Sequence, residues 1–187
     1  MLIGMTGKKR SGKDTVASMI DAEYDYDRVA FAGPLKGMIK FLLKCTGMTD
    51  EQADVRINGT EAEKEEPLRV LQNKSTRFAM QKLGTEWRNF FGVNLWTDII
   101  RAKVESTERV VLTDLRFLHE ADFVREHGGT VARVVRPGTN SGDTHPSEVE
   151  MEKIVPDFTI YNHGSLTQLD AAVFRMMEVV NGSRGLV

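Results

Sequence analysis

Leu2-Ile3-Gly4-Met5-Thr6-Gly7-Lys8-Lys9-Arg10-Ser11-Gly12-Lys13-Asp14-Thr15 is the stretch on which the reading of the whole chain turns. An apolar run of buried-strand type leads into a glycine, four spacers, Gly12-Lys13 and then a segment of helical periodicity over 12–23. Backbone N–H groups can wind around phosphate oxygens only where no side chain blocks the turn, which is what glycines at 7 and 12 permit. The helix that follows points its positive end at the same anion. Lys13, in its first turn, is placed to reach β and γ oxygens. Gly7, Lys8, Arg10, Ser11, Gly12, Lys13, Asp14 and Thr15 are therefore the candidate phosphate-binding residues. The position after the lysine, ordinarily a Ser or Thr magnesium ligand, is Asp14. Its carboxylate is a candidate metal ligand, directly or through a water, and Thr15 is left to contact the α-phosphate.

Outward from this loop, short apolar runs alternate with longer helical segments, the pattern of βαβ units on a parallel sheet, so the fold class is α/β. Strands are expected near 2–5, 28–32, 109–114, 130–135 and 157–161. Helices are expected over 12–23, 34–46, 68–91, 94–105, 117–127 and 165–180. Between Asp50 and Glu66 seven acids face two bases, with Asn58-Gly59 inside and Pro67 at the end. That reads as a solvated mobile loop or short helix. Arg136-Pro137-Gly138-Thr139-Asn140-Ser141-Gly142-Asp143 has the composition of a hinged lid. The stretch Asn181–Gly185 reads as a frayed tail.

The 187 residues suffice for one ordinary core, so a single domain over 1–187 is expected. Hydrophobic residues at 41% and charged ones at 28% are the balance of a globular chain, not of a disordered or membrane one. No run approaches the roughly 20 apolar residues of a bilayer span, and the amino end lacks the pattern of a signal peptide. With 25 bases against 27 acids and an isoelectric point near 6.1, a general nucleic-acid binder is excluded. Any phosphate chemistry must be local. Single Cys45 allows neither a disulfide nor a zinc cluster and reads as core filler in a cytoplasmic protein.

Further candidates sit on the later elements. Arg77, Gln81, Thr85 and Arg88, spaced four, four and three apart, share one helix face. That face suits a guanidinium grip on an acceptor phosphate and an amide contact to a base edge. Glu86 lies about 100° away from Thr85, placed to orient an arginine or touch sugar or base. Phe78, Leu83, Trp87, Phe90 and Phe91 are expected in the core, whereas Trp96 fits either the core or a base stack. Asp114 ends a buried-type strand, where a carboxylate either serves magnesium at the sheet's carboxyl edge or caps the next helix. Arg116 stands at the same edge. Of Arg133 and Arg136, which strand alternation puts on opposite faces, Arg136 is favoured for a role on the phosphates.

In chain order, the phosphate loop, Phe31-Ala32-Gly33-Pro34-Leu35-Lys36, Gln81-Lys82-Leu83-Gly84-Thr85-Glu86-Trp87-Arg88, Thr113-Asp114-Leu115-Arg116-Phe117 and His145-Pro146-Ser147-Glu148 together resemble the bacteriophage-type deoxynucleoside monophosphate kinases. The resemblance implies a P-loop kinase fold, a five-stranded parallel sheet flanked by helices, with an acceptor-binding helical region about 34–105 and a lid about 136–150. It implies transfer of the ATP γ-phosphoryl group to a deoxynucleoside monophosphate with Mg2+, in a homodimer, in the host cytoplasm if the chain is of phage origin. Lys13, Arg116 and Arg136 would be catalytic. Arg77, Gln81, Thr85, Glu86, Arg88, Trp96 and Asp114 would hold the acceptor, Asp14 and Asp114 the metal. His145 and Glu148 would be lid contacts, and Asn162 and Gly164 part of a loop against the adenine. Gly33 departs from the acid expected before Pro34. The competing readings are another small-molecule kinase, such as one resembling dephospho-coenzyme A kinase, and a nucleotide switch. The switch lacks support, because Asn73-Lys74-Ser75-Thr76 has no terminal Asp and Asp114-Leu115-Arg116-Phe117 has no Gly.

Overall fold

The structure is a computed structural model that describes residues 1–139 and 146–182. In chain order the elements begin β1 (Leu2–Thr6), α1 (Lys13–Tyr24), β2 (Asp27–Val29), α2 (Gly33–Lys44), α3 (Asp50–Asn58), α4 (Glu61–Glu65), β3 (Pro67–Leu68) and β4 (Lys74–Ser75). They continue α5 (Thr76–Phe91), α6 (Leu95–Ser106), β5 (Val110–Leu112), α7 (Leu118–Glu126), β6 (Thr130–Val135), α8 (Pro146–Lys153), β7 (Phe158–Tyr161) and α9 (Leu166–Gly182). The chain divides into two compact units, one made of Met1–Phe31 with Arg101–Val187 and the other of Ala32–Ile100.

The first unit is α/β, and its five strands are all parallel in the order β2-β5-β1-β6-β7. Every residue of β1 is buried, as a central strand covered on both faces requires. The chain goes from β1 outward to one side and later returns to the other, so β1 marks the point where strand order reverses. In such sheets the crevice at the carboxyl ends beside that strand is where ligands sit. Ile3, Met5, Val111, Ala132, Val134 and Ile160 of the sheet pack with Val16, Ala17 and Ile20 of α1 and Leu169, Val173, Met176 and Met177 of α9. The apolar spacing along α1 thus fixes which side of that helix lies on the sheet.

The second unit is mostly helical; it takes the short-helix alternative for the acidic stretch and corrects two expectations. The acidic stretch 50–66 is folded into α3 and α4, each opened by a capping box, Thr49 with Gln52 and Thr60 with Glu63. Ala53 and Ile57 of α3 are buried against Ile39, Leu43 and Leu68, while Asp50 and Asp54 pair with Lys40 at 2.6 and 3.1 Å. The helix expected over 68–91 begins only at Thr76. Before it, β3 and β4 form an antiparallel pair around a 3-10 turn at Arg69–Leu71. Gln72 and Asn73 hold positive φ of 52° and 58°, which ends any helix, and the Ser75 hydroxyl accepts the Phe78 N–H to start a new one. Phe78, Trp87, Phe90 and Phe91 are exposed rather than core, Phe90 to 83%. The buried side of α5 is instead supplied by Ala79, Met80 and Leu83.

Cys45, expected as core filler, is exposed at the end of α2. The expected lid segment takes in the start of α8. The remaining helices and strands fall within three residues of their expected ends. No described helix is long and apolar enough to cross a membrane.

Candidate phosphate site

All residues of this site belong to the first unit. Between β1 and α1 the chain winds through Gly7 at φ +139° and Gly12 at φ +100°. A Cβ on Gly7 would stand 2.4 Å from the Val134 carbonyl oxygen, and one on Gly12 would stand 2.4 Å from Asn162 Nδ2. Both glycines are therefore demanded by neighbours as well as by φ. The Ser11 N–H closes a turn on the Lys8 carbonyl at 3.1 Å, and Asn162 Nδ2 donates to the Ser11 carbonyl at 2.9 Å. Lys13 Nζ donates back into the loop, to the carbonyls of Lys8, at 2.9 Å, and Gly7. The hydroxyls of Thr6 and Ser11 are buried without a hydrogen-bond partner among the described residues. A wound backbone, a helix N-terminus, an inward ammonium and unsatisfied hydroxyls form a donor set that fits a polyphosphate.

Burial, then the neighbouring Arg116 charge, lowers the Lys13 pKa to about 8 against the opposing carboxylates of Asp14, Glu148 and Asp114. Asp14, Asp114, Arg116 and Glu148, drawn from three stretches of sequence, are thus within electrostatic reach of Lys13. Arg116 Nη1 is 2.7 Å from Glu148 Oε1, and Glu148 Oε2 is buried with no hydrogen-bond partner among the described residues. Lys8 Nζ is 2.9 Å from Glu152 Oε1. Asp114 Oδ1 accepts the Phe31 N–H at 2.7 Å, so Asp114 does not serve as the cap of α7. That duty falls to Glu120, whose Oε2 accepts the N–H groups of Arg116 at 2.7 Å and Phe117 at 3.0 Å. Burial, then the Asp114 charge, pushes the Glu120 carboxyl up to about 8.

Glu120 is the residue that sequence reasoning missed. Its signal was an acid at the third helical position, half of a capping box, obscured because the cap position holds Phe117 and no hydroxyl. Arg133 is structural: its Nη2 donates to the carbonyls of Met151, at 3.0 Å, and Ile154 at the end of α8. Arg136 and Arg10 are exposed, and Asp14 and Thr15 lie exposed in the first turn of α1. Gly164 follows β7. His145, and 140–145 of the expected lid, lie outside the described residues.

Within the second unit, α5 does carry Arg77, Gln81, Thr85 and Arg88 on one continuous helix. The Arg77 guanidinium is committed to α4, 2.7 Å from Glu61 and 3.1 Å from Glu65. Gln81 is exposed, Thr85 and Arg88 are half-buried, and Glu86 is 3.4 Å from Lys82. Trp96, expected among the acceptor groups, is instead a core residue: it is 5% exposed, donates its indole N–H to the Gly84 carbonyl and stacks on Trp87. Its faces and its polar handle are already used inside the unit.

Residues 1–78 and 69–173 match the family described as deoxynucleotide monophosphate kinase. A protein of Acanthamoeba polyphaga mimivirus is 32% identical over 195 residues, spanning 95% of this chain and 96% of its own. The deoxynucleotide monophosphate kinase of Enterobacteria phage T4 is 29% identical over 239 residues, covering 96% of this chain and 99% of its own. Among solved structures, a shikimate kinase from Aquifex aeolicus is similar with a TM-score of 0.47 and 14% identity, covering 98% of each chain.

Proposed function

The chain belongs to the deoxynucleotide monophosphate kinase family, and from that premise we propose that it catalyses ATP plus deoxynucleoside monophosphate to ADP plus deoxynucleoside diphosphate. The observation that carries the reading is the meeting of Lys13, Arg116 and two aspartates around a glycine-wound loop with unsatisfied buried hydroxyls. Phosphoryl transfer asks a protein to align donor and acceptor and to neutralise the moving charge. The loop N–H groups and Ser11 take the β-phosphate, Lys13 leaves its carbonyl partners for the β and γ oxygens, and Arg116 exchanges Glu148 for the phosphoryl group in flight. An acceptor phosphate oxygen attacks the γ-phosphorus as the bond to the ADP oxygen breaks.

Asp14 and Asp114 would hold magnesium, which would supply charge neutralisation for the transferring phosphoryl group. Among the described residues no three His, Cys, Asp or Glu gather as a metal cage, which suits a cation that keeps phosphate and water ligands. Gln81, Thr85 and Arg88 are the acceptor-binding candidates on α5, with Arg136 on the lid side and Asn162 holding the loop. A panel of the four deoxynucleoside monophosphates and dephospho-coenzyme A, each with ATP and Mg2+, tests the assignment. Turnover of at least one deoxynucleotide is expected, and turnover of dephospho-coenzyme A alone overturns it.

A further inference from the structure

The turn from β5 into α7 is pinned from both ends. Thr113 N–H donates to the Val29 carbonyl at 2.9 Å, Leu115 N–H to the Met5 carbonyl at 3.1 Å, and Leu115 is fully buried. Asp114 receives the Phe31 N–H across the same turn. Beyond Leu115 the next two amides, of Arg116 and Phe117, converge on one oxygen of Glu120, and the Leu118 N–H donates to Glu150 Oε1 at 3.0 Å. Glu120 is 4% exposed. A helix start needs no buried acid, since water or a Ser hydroxyl satisfies such amides without desolvating a carboxyl beside another carboxylate. The Arg116 side chain is 43% exposed and touches Glu148, so its aim depends on where its own backbone is held.

We infer that Glu120 is a positioning residue for phosphoryl transfer: by gripping the Arg116 and Phe117 amides it fixes the turn that directs the Arg116 guanidinium. The inference rests on the kinase reading above and extends it to a side chain that never meets the nucleotide. Glu120 acts before and during the reaction in the same way, as a fixed acceptor. Nothing is transferred to or from it.

The test compares wild type, Glu120→Ala, Glu120→Gln, Arg116→Ala and the Arg116→Ala/Glu120→Ala double variant, with thermal unfolding, kcat and both KM values measured for each. A misplaced catalytic group costs on the order of a hundredfold, so Glu120→Ala should lower kcat by about ten- to a hundredfold and change KM for ATP far less. Glu120→Gln keeps an amide oxygen for both N–H groups and should restore most of kcat. The double variant should be no slower than Arg116→Ala, because the grip has no value once the guanidinium is gone. A Glu120→Ala enzyme with wild-type kcat, or a double variant slower by the full factor of both single changes, overturns the inference. If Glu120→Ala does not fold, Glu120→Asp, one methylene shorter, takes its place: loss of kcat supports the positioning role and an unchanged kcat sinks it. Wild-type enzyme that phosphorylates no deoxynucleotide overturns the kinase reading itself, an outcome separable from a wild-type kinase indifferent to Glu120.

Discussion

Replacing Gly12 by Ala strains the phosphate loop in two ways that can be measured apart. The new Cβ would sit in backbone at φ +100°, a region that costs an L-residue about 1–2 kcal/mol. It would also stand 2.4 Å from Asn162 Nδ2, so the side chain must leave and its 2.9 Å bond to the Ser11 carbonyl is lost, at about 1 kcal/mol. Together Gly12→Ala should destabilise by about 2–3 kcal/mol, which for a chain of this size lowers Tm by about 5–10 °C. Asn162→Ala alone should cost only the bond, about 1 kcal/mol. In the double variant the clash is gone and the bond was already broken, so its stability should match Gly12→Ala and fall short of additivity by about 1 kcal/mol. Urea unfolding of the four proteins gives the cycle, and ATP titration of the same samples should show affinity falling with the strained loop. A double variant destabilised by the full sum would refute the claim that Asn162 is what Gly12 makes room for.

Other perturbations separate charge, grip and scaffold. The Lys13 pKa of about 8 lies below its ordinary 10.5, so between those values the unfolded chain holds more protons and this group makes stability climb with pH. The unfolding free energy of wild type minus that of Lys13→Met should therefore rise from pH 8 to pH 10.5 and stay level below pH 8, and a difference that falls across that window contradicts the buried ammonium. The same variant should lose at least about a hundredfold in kcat. Arg77→Ala should cost about 1 kcal/mol of stability through its pairs with Glu61 and Glu65 while leaving acceptor KM unchanged. Arg88→Ala should raise acceptor KM with ATP KM intact, and steady-state kinetics showing the reverse pattern would exchange their roles.

Local order was legible where one element carries its own signal. The buried run before Gly7, the glycine spacing, and the repeats along α1, α7 and α9 each describe a surface that only one kind of neighbour can cover. Turn chemistry was harder: the long apolar-looking segment from 68 to 91 hid a hairpin, because what breaks it is the left-handed pair Gln72-Asn73 and the Ser75 cap, not a Pro or Gly. The acidic stretch was left open between a mobile loop and a short helix for a related reason. Its composition suggested solvation, yet Ala53 and Ile57 at helical spacing, with two capping boxes, were enough to fold it.

The site was partly legible: Glu148 was named as a lid contact, but its pairing, and the parts of Glu120 and Glu152, were not read. Lys13, Asp114 and Arg116 stand next to strand ends, where the topology of a parallel sheet gathers groups whatever the rest of the chain does. Glu148 and Glu152 reach Arg116 and Lys8 from α8, more than thirty and more than a hundred and forty residues away in sequence, and no spacing rule joins elements that far apart. Their pairing follows from charge: the Arg116 guanidinium and the Lys8 ammonium attract counter-ions, and a helix with acids four residues apart supplies two on one face.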